Sequence, residues 1–191
     1  MRFVLRLLMM FAVALAVGFG LSYYALTDGR YFGILQSGPW TAWPDAGSPA
    51  PNPYTRAHAV RAGTLPLGQA EGLQFTATTD STGEPLIRSC GYRLDGHTPV
   101  ATFWTLVAID AGGRNVARPG TALAMRSRDI ARPEDGAIRV HVGTRLMPGN
   151  WLELTGRGPF SLVLTLYDTV ASSGFGADVD AMPAIVREGC R

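Results

Sequence analysis

Residues 73–80 read LQFTATTD, a stretch that decides the fold class of the chain. Leu73, Phe75 and Ala77 alternate with polar residues, and a period of two places the two sets on opposite faces of a β-strand. The stretch therefore predicts a strand that buries one face and exposes the other.

Five further short runs are rich in β-branched and aromatic residues, which favour strands. These runs are SCGYRL (89–94), TFWTLVAID (102–110), IRVHV (138–142), WLELT (151–155) and FSLVLTLYDT (160–169). Turn residues separate them and no helical period intervenes, as in sandwiches and jelly rolls. TFWTLVAID and SLVLTLYD are apolar on both faces, which predicts central strands covered on both sides. The predicted fold class is mainly β: an antiparallel β-sandwich or jelly-roll-like domain with a short N-terminal helix, preceded by one transmembrane helix.

Residues 7–26 read LLMMFAVALAVGFGLSYYAL and contain no charged side chain. At about 1.5 Å per residue such a segment spans about 30 Å, the thickness of the hydrocarbon core of a bilayer. Arg2 and Arg6 precede the segment and Asp28 follows it, a distribution that favours a cytoplasmic N-terminus. We therefore predict a cytoplasmic segment (1–6) and an uncleaved signal anchor (7–26). A cleaved signal peptide is the alternative.

This topology predicts a single-pass membrane protein whose residues after the span lie outside the cytoplasm. The two cysteines fit an oxidising compartment, and their small, even number predicts a disulfide between Cys90 and Cys190. The alternative is a pair of unrelated buried thiols. No C-x-x-C motif or histidine cluster accompanies them, so we predict no metal site and no cofactor.

Residues 27–51 are rich in proline, glycine, serine and alanine. Because proline cannot continue a helix and favours extended conformations, this composition predicts a semi-rigid spacer between the membrane and a domain at 52–191. Trp40 and Trp43 in the spacer either touch the lipid headgroup region or pack on the domain.

A short helix is predicted where the domain begins, in the sequence NPYTRAHAVRAG at 52–63. Asn52 suits the N-cap, Pro53 the first helical position and Gly63 the C-terminal stop. The helix carries guanidinium, imidazole and phenol groups, which can bind an anion or a small polar ligand. The candidate ligand-binding residues are Tyr54, Arg56, His58 and Arg61, together with Glu71 just after the helix.

Two other interpretations of this helix stay open. In the structural one, Arg56 or Arg61 pairs with Glu71 or with an aspartate at a strand end, and the helix only docks on the domain. In the enzymatic one, which includes hydrolysis, both arginines and His58 share a pocket with a strand-end carboxylate. The aspartates that close strands, in positions that turns also favour, are Asp80, Asp110 and Asp168.

Other functions have little support in the sequence. No G-x-S-x-G elbow, P-loop or dinucleotide-binding glycine motif is present. His58, His97 and His141 lie far apart without metal-ligand spacing. The net charge is +2 and the basic residues are scattered, so nucleic acid is not an expected partner.

Several blocks, in order, resemble the DUF1214 domain, a bacterial domain of unknown function that often follows a DUF1254 domain. They lie within residues 38–191 and comprise NPYTRAHAVRAGTLPLGQAEGLQFTATTDSTGEPL (52–86), CGYRL (90–94), TFWTLVAID (102–110), PGNW (148–151), LTLYDT (164–169) and the terminal GC (189–190). The resemblance implies an envelope location and a β-rich, jelly-roll-like domain, and it assigns no catalytic residue. The sequence departs from the family pattern at 152–154, where LEL replaces an expected Leu-Pro turn, and it shows no DUF1254-like half.

Together with this resemblance, the sequence leads us to expect a non-enzymatic envelope protein, anchored in the bacterial inner membrane as a single-pass protein by residues 7–26. Its C-terminal domain is expected in the periplasm, where it binds a protein partner or a small polar ligand. An envelope enzyme that uses Arg56, His58 and Arg61 is the second hypothesis. Because strands that are apolar on both faces can also be covered by a neighbouring copy, a homo-oligomer is the third.

Overall fold

The protein begins with a long helix, α1 (Arg2–Asp28). The structure, a computed structural model, describes residues 2–28, 33–63, 65–169 and 182–190. Side chains from Arg2 to Tyr24 are exposed, and this segment is long and apolar enough to cross a membrane. The helix therefore contains the predicted span at 7–26 and continues beyond both of its ends.

The other regular elements of the described chain are two β-sheets and two short helices. The helices are a 3-10 helix (Pro44–Gly47) and α2 (Pro53–Ala62). The strands are β1 (Leu35–Ser37), β2 (Trp40–Ala42), β3 (Gly72–Ala77), β4 (Cys90–Gly96), β5 (Ala101–Ile109), β6 (Met125–Arg126), β7 (Ile138–Gly143), β8 (Trp151–Glu153), β9 (Ser161–Thr169) and β10 (Ala184–Cys190). The six-stranded sheet has the order β1-β2-β3-β9-β5-β6, and the four-stranded sheet has the order β10-β4-β7-β8.

All six strands predicted from the sequence are present, as β3, β4, β5, β7, β8 and β9. In β3, Leu73, Phe75 and Ala77 are buried whereas the residues between them are more exposed, as the period of two predicted. β9 lies in the middle of the six-stranded sheet, where Leu164 is opposite Phe75 of β3 and Leu106 of β5.

The two sheets pack face to face around one hydrophobic core. The six-stranded sheet contributes Trp40, Phe75 and Leu166, and the four-stranded sheet contributes Tyr92 and Leu152, all completely buried. Removal of such large apolar side chains from water is the main favourable term in folding. The prediction of a mainly β domain with two packed sheets is confirmed, and the jelly-roll connectivity stays a prediction.

One strand direction differs from the prediction. β7 and β8 run parallel, with His141 opposite Trp151, so the four-stranded sheet is mixed and the prediction of wholly antiparallel sheets is wrong. β8 is an edge strand of only three residues, and the apolar pattern of so short a strand indicates its buried face but not its direction. The turn before it is fixed by Asn150, whose side-chain N–H donates to the carbonyl oxygen of Ala131 at 2.6 Å.

The spacer predicted over 27–51 is wrong for residues 35–47, because β1 and β2 form a hairpin that extends the six-stranded sheet. Two of the prolines that suggest an extended linker belong to other local structures. Pro39 follows Gly38 in the hairpin turn, where Gly38 has a φ of 54°, and Pro44 starts the 3-10 helix.

Trp40 shows how firmly this hairpin belongs to the domain. The side chain is 0% exposed, and its Nε1–H donates to the carbonyl oxygen of Pro183 at 2.8 Å. Of the two alternatives left open for the tryptophans, packing on the domain is therefore the one that Trp40 adopts.

Two turns of the domain share one construction. The carboxylates of Asp80 and Asp110 each accept hydrogen bonds from the backbone N–H groups two and four residues later, at 2.9–3.0 Å. Gly83 and Gly113, with φ of 89° and 74°, allow the chain to reverse in a conformation that other residues adopt with strain. Both aspartates thus have a structural role in turns.

The strand β10 links separate parts of the domain. Cys190 lies opposite Cys90 of β4, and the two form a disulfide, as the sequence predicted. Arg187 of the same strand donates from Nε to the carboxylate of Asp80 at 2.9 Å. Because Asp80 follows β3, this pair joins β10 of the four-stranded sheet to the six-stranded sheet.

Candidate functional site

α2 begins and ends where the sequence predicted. The side chain of Asn52 accepts a hydrogen bond from the N–H of Thr55 at 2.9 Å, and Pro53 occupies the first turn. Gly63 ends the helix with a φ of 62°. A helix of this length is marginal by itself, so contacts with the domain must stabilise it.

A cavity of about 470 Å³ lies between α2, the 3-10 helix and the outer face of the six-stranded sheet. Small-molecule sites typically have volumes of about 300–1,000 Å³ and mostly apolar linings with a few polar groups. This lining follows that pattern, with Ile34, Trp43, Leu67 and Ile109 among its apolar residues. Its polar side chains are Gln36, Thr41, Thr55, His58, Gln74 and Thr76.

Two hydrogen bonds position the helical wall of the cavity. The N–H of Asn52 donates to the carboxylate of Asp45 at 2.6 Å, which joins the 3-10 helix to the start of α2. The N–H of Gln69 donates to the carbonyl oxygen of Gly47 at 3.0 Å, which joins the 3-10 helix to the segment after α2. The wall is therefore a connected unit and not a loose linker.

The strand register aligns polar residues along the floor of the cavity. Gln36 lies opposite Thr41, and Thr41 lies opposite Thr76. Because side chains alternate along a strand, these three residues share the outer face of the sheet. The hydroxyl of Thr41 donates to the carbonyl oxygen of Thr76 at 3.0 Å, so this hydroxyl has a partner within the protein.

Thr55 differs from the other polar residues of the lining. It is 1% exposed, and its hydroxyl oxygen has no hydrogen-bond partner among the residues that the structure describes. A buried polar group without a partner costs about 1–3 kcal/mol, and such groups are rare enough to need an explanation. Because this oxygen is closed to solvent, a ligand in the cavity would remove the cost by drawing the Thr55 side chain into a rotamer that faces it.

His58 is the other notable polar side chain. Its ring stacks on the indole of Trp43, with the centroids 4.3 Å apart and the planes inclined by 21°. Burial, and then the nearby positive charge of Arg61, lower the pKa of His58 below 6.5. The imidazole is therefore neutral at pH 7, and the cavity has no charged side chain in its described lining at that pH.

Residues 71–171 match the protein family described as "Protein of unknown function (DUF1214)". The chain belongs to the DUF1214 family. In this DUF1214 protein the matched residues include Gln74, Thr76 and Ile109 of the cavity, whereas the 3-10 helix and α2 precede them. The cavity is thus built from the DUF1214 segment and a wall that lies N-terminal to it.

Parts of the DUF1214 protein match two solved structures, of which the first shares its fold. The VPA0106 protein from Vibrio parahaemolyticus has a TM-score of 0.56 and 18% identity, over 71% of this chain and 35% of that one. An uncharacterised protein from Burkholderia cenocepacia has a TM-score of 0.44 and 14% identity, over 63% of this chain and 30% of that one. The chain therefore spans about a third of the length of these structures. No curated protein matches the chain.

Of the five residues predicted to bind a ligand in the DUF1214 protein, His58 alone lines the cavity. Tyr54, Arg56, Arg61 and Glu71 are exposed. Within the described ranges neither arginine forms an ion pair, so the salt-bridged docking of α2 is not observed. Ligand binding by these four residues stays a prediction.

Few features of the sequence indicate which residues line the cavity. Trp43 lies in the segment that is predicted to be a spacer, and Thr55 is a single threonine on a helix whose arginines are its most evident polar residues. The usable signal was local: Trp40 and Ala42 alternate with Thr41, which is the pattern of a half-buried strand.

The carboxylates that an enzyme would need lie elsewhere in the DUF1214 domain. Asp80 and Asp110 form turns, and Asp168 accepts a hydrogen bond from the hydroxyl of Thr102 at 2.8 Å. None of the three lines the cavity. Among the described residues, no group of three or more His, Cys, Asp or Glu side chains is placed to bind a metal ion.

Proposed function

We propose that this protein is a ligand-binding protein of the bacterial cell envelope, which α1 anchors in the inner membrane and whose β domain lies in the periplasm. The apolar exposed surface of α1 and the disulfide between Cys90 and Cys190 support that location. The cavity beneath α2 is the proposed binding site.

The observation that carries this proposal is the buried, unpartnered hydroxyl of Thr55 in the wall of the cavity. If the site had only a packing role, valine would have the same shape at this position without the cost of an unsatisfied polar group. A hydroxyl in this place is useful when a second molecule provides its partner.

The lining also restricts the chemistry of the ligand. A charged ligand in this cavity would find no counter-ion, because His58 is neutral at pH 7 and no carboxylate, lysine or arginine is in the described lining. Burying an unpaired charge is costly. We therefore assign a small, uncharged and mostly apolar ligand with one polar group, which is less polar than the sequence alone indicated.

The hydrolytic alternative has weaker support. It required Arg56, His58 and Arg61 to share a pocket with a carboxylate, and only His58 faces the cavity. A binding function, in contrast, requires only the cavity and the hydroxyl of Thr55.

A thermal-unfolding experiment on the full chain in nanodiscs tests this function. Three probes of the same size are compared: 2-naphthylmethanol, which is neutral, 2-naphthoate and 2-naphthylmethylammonium. A ligand that binds only the folded state raises the melting temperature, so the neutral probe is expected to raise it and the two ions are not.

The variant Thr55→Val is expected to abolish the shift caused by 2-naphthylmethanol. Thr41→Val is the matched control, because its hydroxyl already has a partner in Thr76, and it should keep the shift. Equal shifts with all three probes, or an unchanged shift in Thr55→Val, would contradict the proposed site.

A further inference from the structure

The side of α2 that faces away from the cavity has an unusual surface. Val60 is 74% exposed on this helix, and Leu65 just after it is 96% exposed. Arg56 and Arg61, on the same helix, are also exposed. Exposed single apolar residues are common, but here two of them lie beside two cations within one short segment.

The two cations of this surface are not neutralised within α2 itself. α2 contains no acidic residue, and neither Arg56 nor Arg61 forms an ion pair within the described parts of the chain. Asp45 lies in the 3-10 helix, and its carboxylate accepts a hydrogen bond from the N–H of Asn52 at the start of α2. The surface is therefore suited to an anionic partner that also accepts apolar side chains.

The position of the surface identifies that partner. α2 lies against α1 in the fold, and α1 is the segment that is apolar enough to cross a membrane. The proposed anchoring by α1 therefore brings α2 close to the bilayer. Helices with apolar and basic side chains bind in the interface of bilayers that carry anionic lipids.

We propose that the outer face of α2, with Leu65, rests on the surface of the bilayer that contains α1. Val60 and Leu65 enter the interfacial region, and Arg56 and Arg61 bind the phosphates of anionic lipids. One helix then has two functions, since its inner side, with Thr55 and His58, forms the cavity wall. This inference rests on the proposed anchoring by α1 and is independent of the ligand in the cavity.

The test uses the full chain with an environment-sensitive label. An NBD fluorophore is attached to V60C, and the matched control carries it on L146C, because Leu146 is 80% exposed and lies in the four-stranded sheet's loop at 144–150. Both proteins are placed in nanodiscs of phosphatidylcholine with or without phosphatidylglycerol. The label at 60 is expected to shift to shorter wavelength and to be quenched by doxyl-labelled lipid, whereas the label at 146 shows neither effect.

Charge dependence distinguishes lipid contact from contact with the protein itself. Phosphatidylglycerol is expected to increase the quenching at 60, and the double variant R56Q/R61Q, or about 0.5 M NaCl, should remove that increase because salt screens exposed charges. If the chain stays with the nanodisc but the label at 60 behaves like the label at 146, the inference about α2 is wrong and the anchoring by α1 still stands. A chain that elutes without the nanodisc overturns the anchoring, and the inference with it.

Discussion

Gly47 lies so close to the carbonyl oxygen of Leu67 that no side chain fits between them. The contact is what allows the N–H of Gln69 to reach the carbonyl oxygen of Gly47. The helical wall of the cavity therefore depends on a position where even one methyl group is too large.

Gly47→Ala is expected to separate the 3-10 helix from the segment after α2. The thermal shift with 2-naphthylmethanol should disappear, and the free energy of unfolding should fall by about 1–3 kcal/mol, as for other overpacked sites. Gly68→Ala is the control, because its methyl group would meet only the flexible side chain of Glu71, at 3.4 Å. Loss of the shift in both variants would show that the close approach at Gly47 is not the cause.

The lowered pKa of His58 predicts how stability depends on pH. In the unfolded chain this group binds a proton near pH 6.5, whereas in the folded protein burial and then Arg61 lower its pKa. The stabilising contribution is therefore complete above pH 6.5 and is lost as the pH falls through the lowered pKa. His58→Gln should unfold in urea with a weaker dependence on pH between pH 7 and 5. His97→Gln, which removes an imidazole elsewhere in the chain, is the control. A pH dependence of His58→Gln equal to that of the wild type would refute this interpretation.

The turns at Asp80 and Asp110 have the same hydrogen-bonding pattern, but we expect substitution of Asp80 to destabilise the protein more. Burial by itself would raise the pKa of Asp80, but hydrogen bonds from Thr82 and Glu84 and the charge of Arg187 outweigh it and lower this pKa. Asp80 is 2% exposed, so Asp80→Asn, which loses the pairing of charges, should lower the free energy of unfolding by about 1–3 kcal/mol. Asp110→Asn, in the exposed turn, should cost clearly less. Urea unfolding followed by tryptophan fluorescence measures both, and equal losses would mean that burial of the Asp80–Arg187 pair is unimportant.

Removal of the disulfide is expected to lower the free energy of unfolding more than the other substitutions. Cys90 and Cys190 are 100 residues apart, and closure of so long a loop stabilises the folded state by about 4–5 kcal/mol in the chain-entropy model. The double variant Cys90→Ala/Cys190→Ala is expected to unfold at a correspondingly lower urea concentration. Non-reducing peptide mapping of the wild type provides the control that the bond is formed. A double variant as stable as the oxidised protein would contradict the assigned role.

The extent to which the fold could be read from the sequence depends on element length. β3, β5 and β9 carry six to nine residues each, enough for the periodicity of their side chains to be recognised. α2 was found by its caps and not by its weak periodicity. β1 and β2 have three residues each among prolines. β1 pairs with β2 and β2 pairs with β3, and composition does not indicate this pairing.

The candidate site was harder to predict for a different reason. Arg56 and Arg61 attract notice in a sequence because charge is visible there, but exposed charges are the normal surface of a helix. Thr55 matters because of its burial and its missing partner, and both are properties of the folded chain. His58 was identified as titratable, but the stacking partner that buries it, Trp43, came from a segment predicted to be a linker.

The fold is completed only when β10, the last described strand of the chain, has been synthesised. This strand is synthesised after every other described strand, yet it provides the disulfide partner of β4 and the cation for the Asp80 turn. Until β10 has been synthesised, β4 is an edge strand of the four-stranded sheet and Cys90 lacks its disulfide partner. A chain shortened before β10 would lack both the disulfide and the pair between Arg187 and Asp80, so it is expected to unfold more readily and to be more susceptible to proteolysis.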